Sequence, residues 1–163
     1  MKKILVIGCP GSGKSTFSKA LHRMTGIALY HLDNLYWNQD KTTVSREVFL
    51  DRLNRILPRQ EWIIDGNYAS TMELRMQHCD TVIFLDYPAE VCLAGIRARH
   101  GKPRSDIPWL ETGEDPEFIQ YIKTFQAEGR PGILALLETY AHKNIFIFSS
   151  RQEETAFLSG KKP

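Results

Sequence analysis

From Gly8 to Ser15 the chain reads Gly-Cys-Pro-Gly-Ser-Gly-Lys-Ser, which satisfies G-x-x-x-x-G-K-[ST] at every position. The pattern constrains the fold because it works only between a strand and a helix. The strand delivers the chain, the glycines let it curl, and successive N–H groups then converge with the positive end of the helix on phosphate oxygens. Both flanks are present. Ile4-Leu5-Val6-Ile7 is a short apolar run with β-branched members and reads as a fully buried strand. Phe17, Ala20, Leu21 and Met24 recur at spacings of three and four, which predicts a helix over about 14–24. Gly8, Pro10, Gly11, Ser12, Gly13, Lys14, Ser15 and Thr16 are therefore candidate nucleotide-binding residues, with Lys14 reaching the β- and γ-phosphates of ATP and Ser15 ligating Mg²⁺. The rival, a tight turn that merely contains glycines and a lysine, does not account for the full spacing in this context.

Further along, residues 28–31, 62–65, 81–86 and 144–149 are short apolar runs that end in polar or turn residues, and read as strands. Helices are predicted over about 45–57, 71–77, 89–100 and 116–140, the last broken at Gly129-Arg130-Pro131-Gly132, with Ser45 as an N-cap. This alternation predicts a mostly parallel sheet wrapped by helices. No repeat, low-complexity tract or linker divides the 163 residues, so one domain over 1–163 is expected.

The composition excludes several classes. With 42% hydrophobic and 25% charged residues the chain is neither disordered nor fibrous. A net charge of +2 falls short of the one-sided excess that grips long nucleic acid, so direct DNA binding is not expected. Cys9, Cys79 and Cys92 form no CxxC pair and no even set, which points to reduced thiols and a cytoplasmic location. Met1-Lys2-Lys3 followed by an apolar run starts like a signal peptide, but Gly8-Cys9-Pro10-Gly11 ends that run early. No window approaches the ~20 apolar residues of a membrane span.

Three segments together carry a resemblance: Gly8 to Thr16, Leu-Asp-Asn-Leu-Tyr-Trp from Leu32 to Trp37, and Trp-Ile-Ile-Asp-Gly-Asn-Tyr from Trp62 to Tyr68. The chain resembles the adenylate kinase-like P-loop kinases, which include shikimate and gluconate kinases, and within them the bacterial DNA topology modulation proteins. The resemblance implies a P-loop NTPase three-layer α/β/α fold with a five-stranded parallel sheet, nucleoside-monophosphate-kinase-like with a short lid. It also implies ATP and Mg²⁺ as cofactors, a small-molecule or nucleotide acceptor, and a monomer or homodimer.

Ligands of a parallel sheet collect beyond the carboxyl ends of the strands, where Asp33, Asp65 and Asp86 are expected. Asp33 resembles the acid after the second strand of shikimate-type kinases, which orients the acceptor hydroxyl and the metal waters; as a turn or N-cap residue it would do neither. Asp65-Gly66-Asn67-Tyr68 is similar to the Asp-Gly-Phe-Pro-Arg stretch of adenylate kinases, but it lacks the phosphate-binding arginine. Asp65 and Asp86 are alternative metal residues, the latter by its apolar-strand-then-acid pattern, with helix capping as the other use of Asp86. Tyr36 and Trp37 either stack on a planar acceptor or pack internally.

Arg97, Arg99, His100, Lys102 and Arg104 cluster with no acid between Glu90 and Asp106. Arginine's planar fork suits the charge that spreads over a moving phosphoryl group, so a lid over about 99–115 is expected, with the acceptor region over about 33–68. Arg97 and Arg104 are candidate catalytic residues, with a solvated helix end as the alternative. The resemblance places Arg97 on adenine as well. Arg130 is a candidate to reach the phosphates or a plain surface arginine, and the loop carrying Arg151 is expected beside the adenine.

Overall fold

The computed structural model describes residues 1–160. Five strands form one parallel sheet: β1 (Lys3–Gly8), β2 (Leu29–His31), β3 (Trp62–Asp65), β4 (Thr81–Leu85) and β5 (Asn144–Phe148), in the order β2-β3-β1-β4-β5. The central strands are continuous apolar runs because helices cover both faces; Ile4 to Ile7, Ile63, Ile64 and Val82 to Leu85 are all fully buried. β1 pairs with β3 on one side and β4 on the other, so the carboxyl ends of all three reach the same edge of the sheet. That edge is where the site forms.

The helices are α1 (Lys14–Thr25), α2 (Leu32–Tyr36), α3 (Arg46–Asn54), α4 (Ala69–His78), α5 (Ala89–Arg99), α6 (Pro116–Glu128), α7 (Arg130–Thr139) and α8 (Arg151–Leu158). Ser45 caps α3 as expected, its hydroxyl accepting from Val48 N at 3.3 Å. The anticipated break falls between α6 and α7, where Arg130 and Pro131 begin a new helix. Two helices were not expected. α2 is only five residues long and contains Asp33 and Asn34, which favour turns. α8 replaces the loop expected after the last strand, and it begins with a reciprocal cap. Ser150 Oγ accepts from Glu153 N at 3.4 Å, while the Glu153 carboxylate accepts from Ser149 N at 2.7 Å. Phe157 of α8 then meets Phe17 of α1 and Phe148 of β5, with centroids 6.2 and 5.3 Å away.

Between the loop after β1 and α5, two glycines allow backbone to touch backbone. A Cβ on Gly11 would strike the carbonyl of Cys92, and one on Gly95 would strike the carbonyl oxygen of Gly11. No helix among the described residues is long and apolar enough to cross a membrane.

Candidate active site

The loop between β1 and α1 is internally braced and outwardly open. Ser12 N donates to Cys9 O at 3.0 Å and Phe17 N to Gly13 O at 2.9 Å. The N–H groups of Gly13, Lys14 and Ser15 have no protein acceptor among the described residues, which is how a helix N-terminus presents itself to an anion. Lys14 Nζ spans the loop mouth, donating to Gly8 O at 2.8 Å and Cys9 O at 3.1 Å. Burial lowers its pKa, against the pull of Asp65 and Asp33, so the ammonium is poorly solvated and suited to an incoming anion. These donors fit a chain of phosphates.

A cavity of about 790 Å³ opens from this loop and is lined by Lys14, Ser15, Asp33, Asp65, Tyr68 and Trp109, among others. The volume lies within the range of small-ligand sites. Asp33 stands in the first turn of α2, two residues beyond the end of β2, and accepts from Tyr68 Oη at 2.7 Å. Burial raises the Asp33 pKa, while the Tyr68 hydrogen bond and the Lys14 charge work to lower it. Burial and the adjacent carboxylate also raise the Tyr68 phenol, which keeps it a donor. Asp65 ends β3, is buried, and lies with both oxygens 2.9 Å from His31 Nδ1. The aromatic pair divides: Tyr36 packs on Phe49 and Tyr68 with centroids 5.4 and 4.9 Å away, whereas Trp37 lines the cavity beside Trp109 at 5.1 Å.

The basic segment after α5 crosses the cavity, with its arginines held by its own acids. Arg99 donates to Glu111 at 2.8 and 3.1 Å, and Arg104 donates to Glu111 at 2.8 Å and to Asp106 at 3.0 and 2.5 Å. Asp106 also accepts from Ser15 Oγ at 2.6 Å. Burial opposes its charge, but the hydrogen bonds from Arg104 and Ser15 prevail and hold the carboxyl well below the usual range. Arg97 points away, 62% exposed and paired with Glu114 at 3.1 Å.

Two expected site residues meet each other instead of the cavity. Arg130 donates to both oxygens of Asp86, through Nε at 2.8 and 2.9 Å and Nη2 at 2.8 Å, and neither residue lines the cavity. Asp86 is thus occupied as an ion-pair acceptor, and the cap of α5 is Pro88. Arg151 does line the cavity, packed against Gly13 with its guanidinium 4.7 Å from the Tyr87 ring centroid and 2.9 Å from Glu154.

The sequence reading assigned no role to His31, Asn67, Tyr68, Asp106 or Trp109. Asn67 Oδ1 accepts from Gly8 N at 3.0 Å and so ties the loop after β3 to the phosphate-binding loop. Only α8 had a usable sequence signal, the Ser-x-x-Glu of Ser150 to Glu153. For a divalent ion the oxygen donors include the Ser15 hydroxyl, Asp106 in contact with it, and Asp65 in the lining of the same cavity. Among the described residues no cage of three or more His, Cys, Asp or Glu is gathered. That donor set suits Mg²⁺, which keeps several waters and takes further oxygens from phosphates.

No family model matches the chain, and no curated protein sequence matches it. Solved structures do. A shikimate kinase from Bacteroides thetaiotaomicron superposes with a TM-score of 0.57 at 19% identity, over 96% of this chain and 94% of that one. A shikimate kinase from Acinetobacter baumannii, solved in complex with shikimate, gives 0.65 at 14% identity, over 98% and 90%. The chain has the P-loop kinase fold: an all-parallel five-stranded sheet between helices, shared over nearly its whole length with these kinases.

Proposed function

We propose that the chain is an ATP·Mg²⁺-dependent phosphotransferase that moves the γ-phosphoryl group to a hydroxyl of a small acceptor. The observation that carries this is that one cavity is lined by Lys14 and Ser15 together with Asp33. The N–H groups of Gly13, Lys14 and Ser15 bind the phosphates, and Lys14 follows the charge that develops between the β- and γ-groups. ATP supplies the phosphoryl group and Mg²⁺ neutralises its oxygens, with Ser15 as the protein's ligand. Asp33 accepts the acceptor's hydroxyl proton as the oxygen–phosphorus bond forms and the bridging bond to ADP breaks. Tyr68 orients that carboxylate. Arg99 and Arg104 lie on the segment over the cavity, where a change of partner from Glu111 and Asp106 to phosphate oxygens would complete the charge clamp.

The acceptor is a small alcohol in preference to a nucleoside monophosphate, because Ala69 stands where the resembling adenylate kinases carry a phosphate-binding arginine. Shikimate, bound by one of the structural neighbours, belongs in the panel of acceptors to test. The test is ADP release from ATP·Mg²⁺ in the presence of shikimate, gluconate, related alcohols and nucleoside monophosphates. One acceptor is expected to accelerate it, and Lys14→Ala to remove at least about 10²-fold of that rate. A flat panel with intact ATP binding would replace the kinase with a nucleotide-dependent binding protein.

A further inference from the structure

Arg75 is a fully buried cation with no carboxylate partner among the described residues. A desolvated charge without a counterion is costly, and burial pulls this guanidinium down to about 9. All of its hydrogen bonds go to backbone carbonyls. Nη1 donates to Gly66 O at 2.8 Å, Nη2 to Asn67 O and to Tyr68 O, the latter at 3.0 Å, and Nε to Thr71 O at 3.2 Å. Three consecutive carbonyls therefore converge on one planar fork, and Tyr68 sits at a φ of 37°, a left-handed conformation that a non-glycine residue adopts only under constraint.

What that turn presents on its other side is the site. Asn67 Oδ1 accepts from Gly8 N in the phosphate-binding loop, and Tyr68 Oη donates to Asp33. We infer that Arg75 is a positioning residue: by gathering the carbonyls of Gly66, Asn67 and Tyr68 it sets Asn67 against the phosphate-binding loop and Tyr68 against Asp33, joining that loop and Asp33 through one turn. Lysine cannot replace it, because a point charge on a flexible stem cannot hold three carbonyls in a plane. The guanidinium itself makes no hydrogen bond to the phosphate-binding loop or to Asp33.

This rests only on the nucleotide-binding half of the function proposed above, so it is testable without an acceptor. The probe is AMP-PNP with Mg²⁺, read with the amide signal of Gly8 in the intact chain by NMR. Arg75→Lys is expected to shift the Gly8 amide away from its hydrogen-bonded position and to weaken AMP-PNP·Mg²⁺ binding about fivefold, the scale of one lost hydrogen bond. Asn67→Ala, which leaves the buried core intact, should do the same, and the double variant should be no weaker than either alone. A residue that only stabilised the fold would lower Tm and leave both readouts of the folded protein in place. An unshifted Gly8 amide with unchanged affinity in folded Arg75→Lys overturns the inference, and so do effects that simply add.

Should Arg75→Lys fail to fold, the unmutated chain supplies the measurement. The Arg75 Nε–H signal is expected to move when AMP-PNP·Mg²⁺ binds, and to stop responding in Asn67→Ala. A signal that does not move on binding overturns the inference. Failure of the unmutated chain to bind AMP-PNP at all would instead overturn the nucleotide site itself.

Discussion

Ser15 donates its hydroxyl proton to Asp106 across 2.6 Å, although the two residues are 91 positions apart. The donated proton fixes the hydroxyl rotor, so the oxygen's lone pairs face away from Asp106, and a carboxylate lies beside the place where the metal would bind. Asp106→Asn keeps the size of the side chain and removes that charge. It is expected to raise the Mg²⁺ concentration for half-maximal ATP turnover about tenfold, as for the loss of a charge-assisted contact. A Mg²⁺ titration at fixed ATP reads this directly, and an unchanged midpoint would place the metal elsewhere.

Asp33 links chemistry to stability with a definite sign. Burial raises its folded pKa above the ordinary carboxylate value, so the folded chain retains a proton that the unfolded chain has lost. Stability therefore falls as pH climbs from the unfolded to the folded value and is flat above that, while a base at this position becomes active over the same rise. Asp33→Asn, whose amide oxygen still accepts from Tyr68, should lose phosphoryl transfer yet gain about 2–4 °C in Tm at neutral pH. Equal Tm values for the two proteins from pH 4 to 8 would show that Asp33 bears no such strain.

Asp86 and Arg130 make the opposite case. Their two-pronged ion pair is partly exposed, with side-chain accessibilities of 11% and 35%, so solvent screens it. Arg130→Met should cost about 1 kcal/mol, or about 2–4 °C in Tm, by leaving Asp86 unpaired. Turnover at a permissive temperature should stay within about twofold. A hundredfold loss of kcat without a change in Tm would return Arg130 to the phosphates.

Features set by neighbours in sequence were legible from the chain alone. The loop from Gly8 to Ser15 needs only local spacing, β3 was located at 62–65 by its apolar run, and Asp33 and Asp65 could be placed because parallel strands end at a common edge. The contacts that finish the site leave no such trace. His31 meets Asp65 across 34 positions, Tyr68 meets Asp33 across 35 and Asn67 meets Gly8 across 59. Each pair depends on how elements pack, and periodicity carries no record of it. The basic run from Arg97 to Arg104 shows the same limit from another side. Its charge was visible, but Glu111 and Glu114, which hold Arg99 and Arg97, lie beyond an irregular stretch whose return path no pattern encodes.

The contact of Gly11 with Gly95 bears on how the protein can move. With no side chain between them, the phosphate-binding loop and α5 are fitted like two faces of a machined joint, with no room for a Cβ at either glycine. Beyond the end of α5 the packing around the backbone loosens. The chain has clearance there: Gly101, at a φ of 68°, has no atom beyond its own chain neighbours within 4 Å of where a Cβ would stand. The crowded seam thus acts as an anvil beneath the seat for the phosphates, while the backbone at Gly101, tied by its N–H to Glu111 O at 2.9 Å, has room to spare.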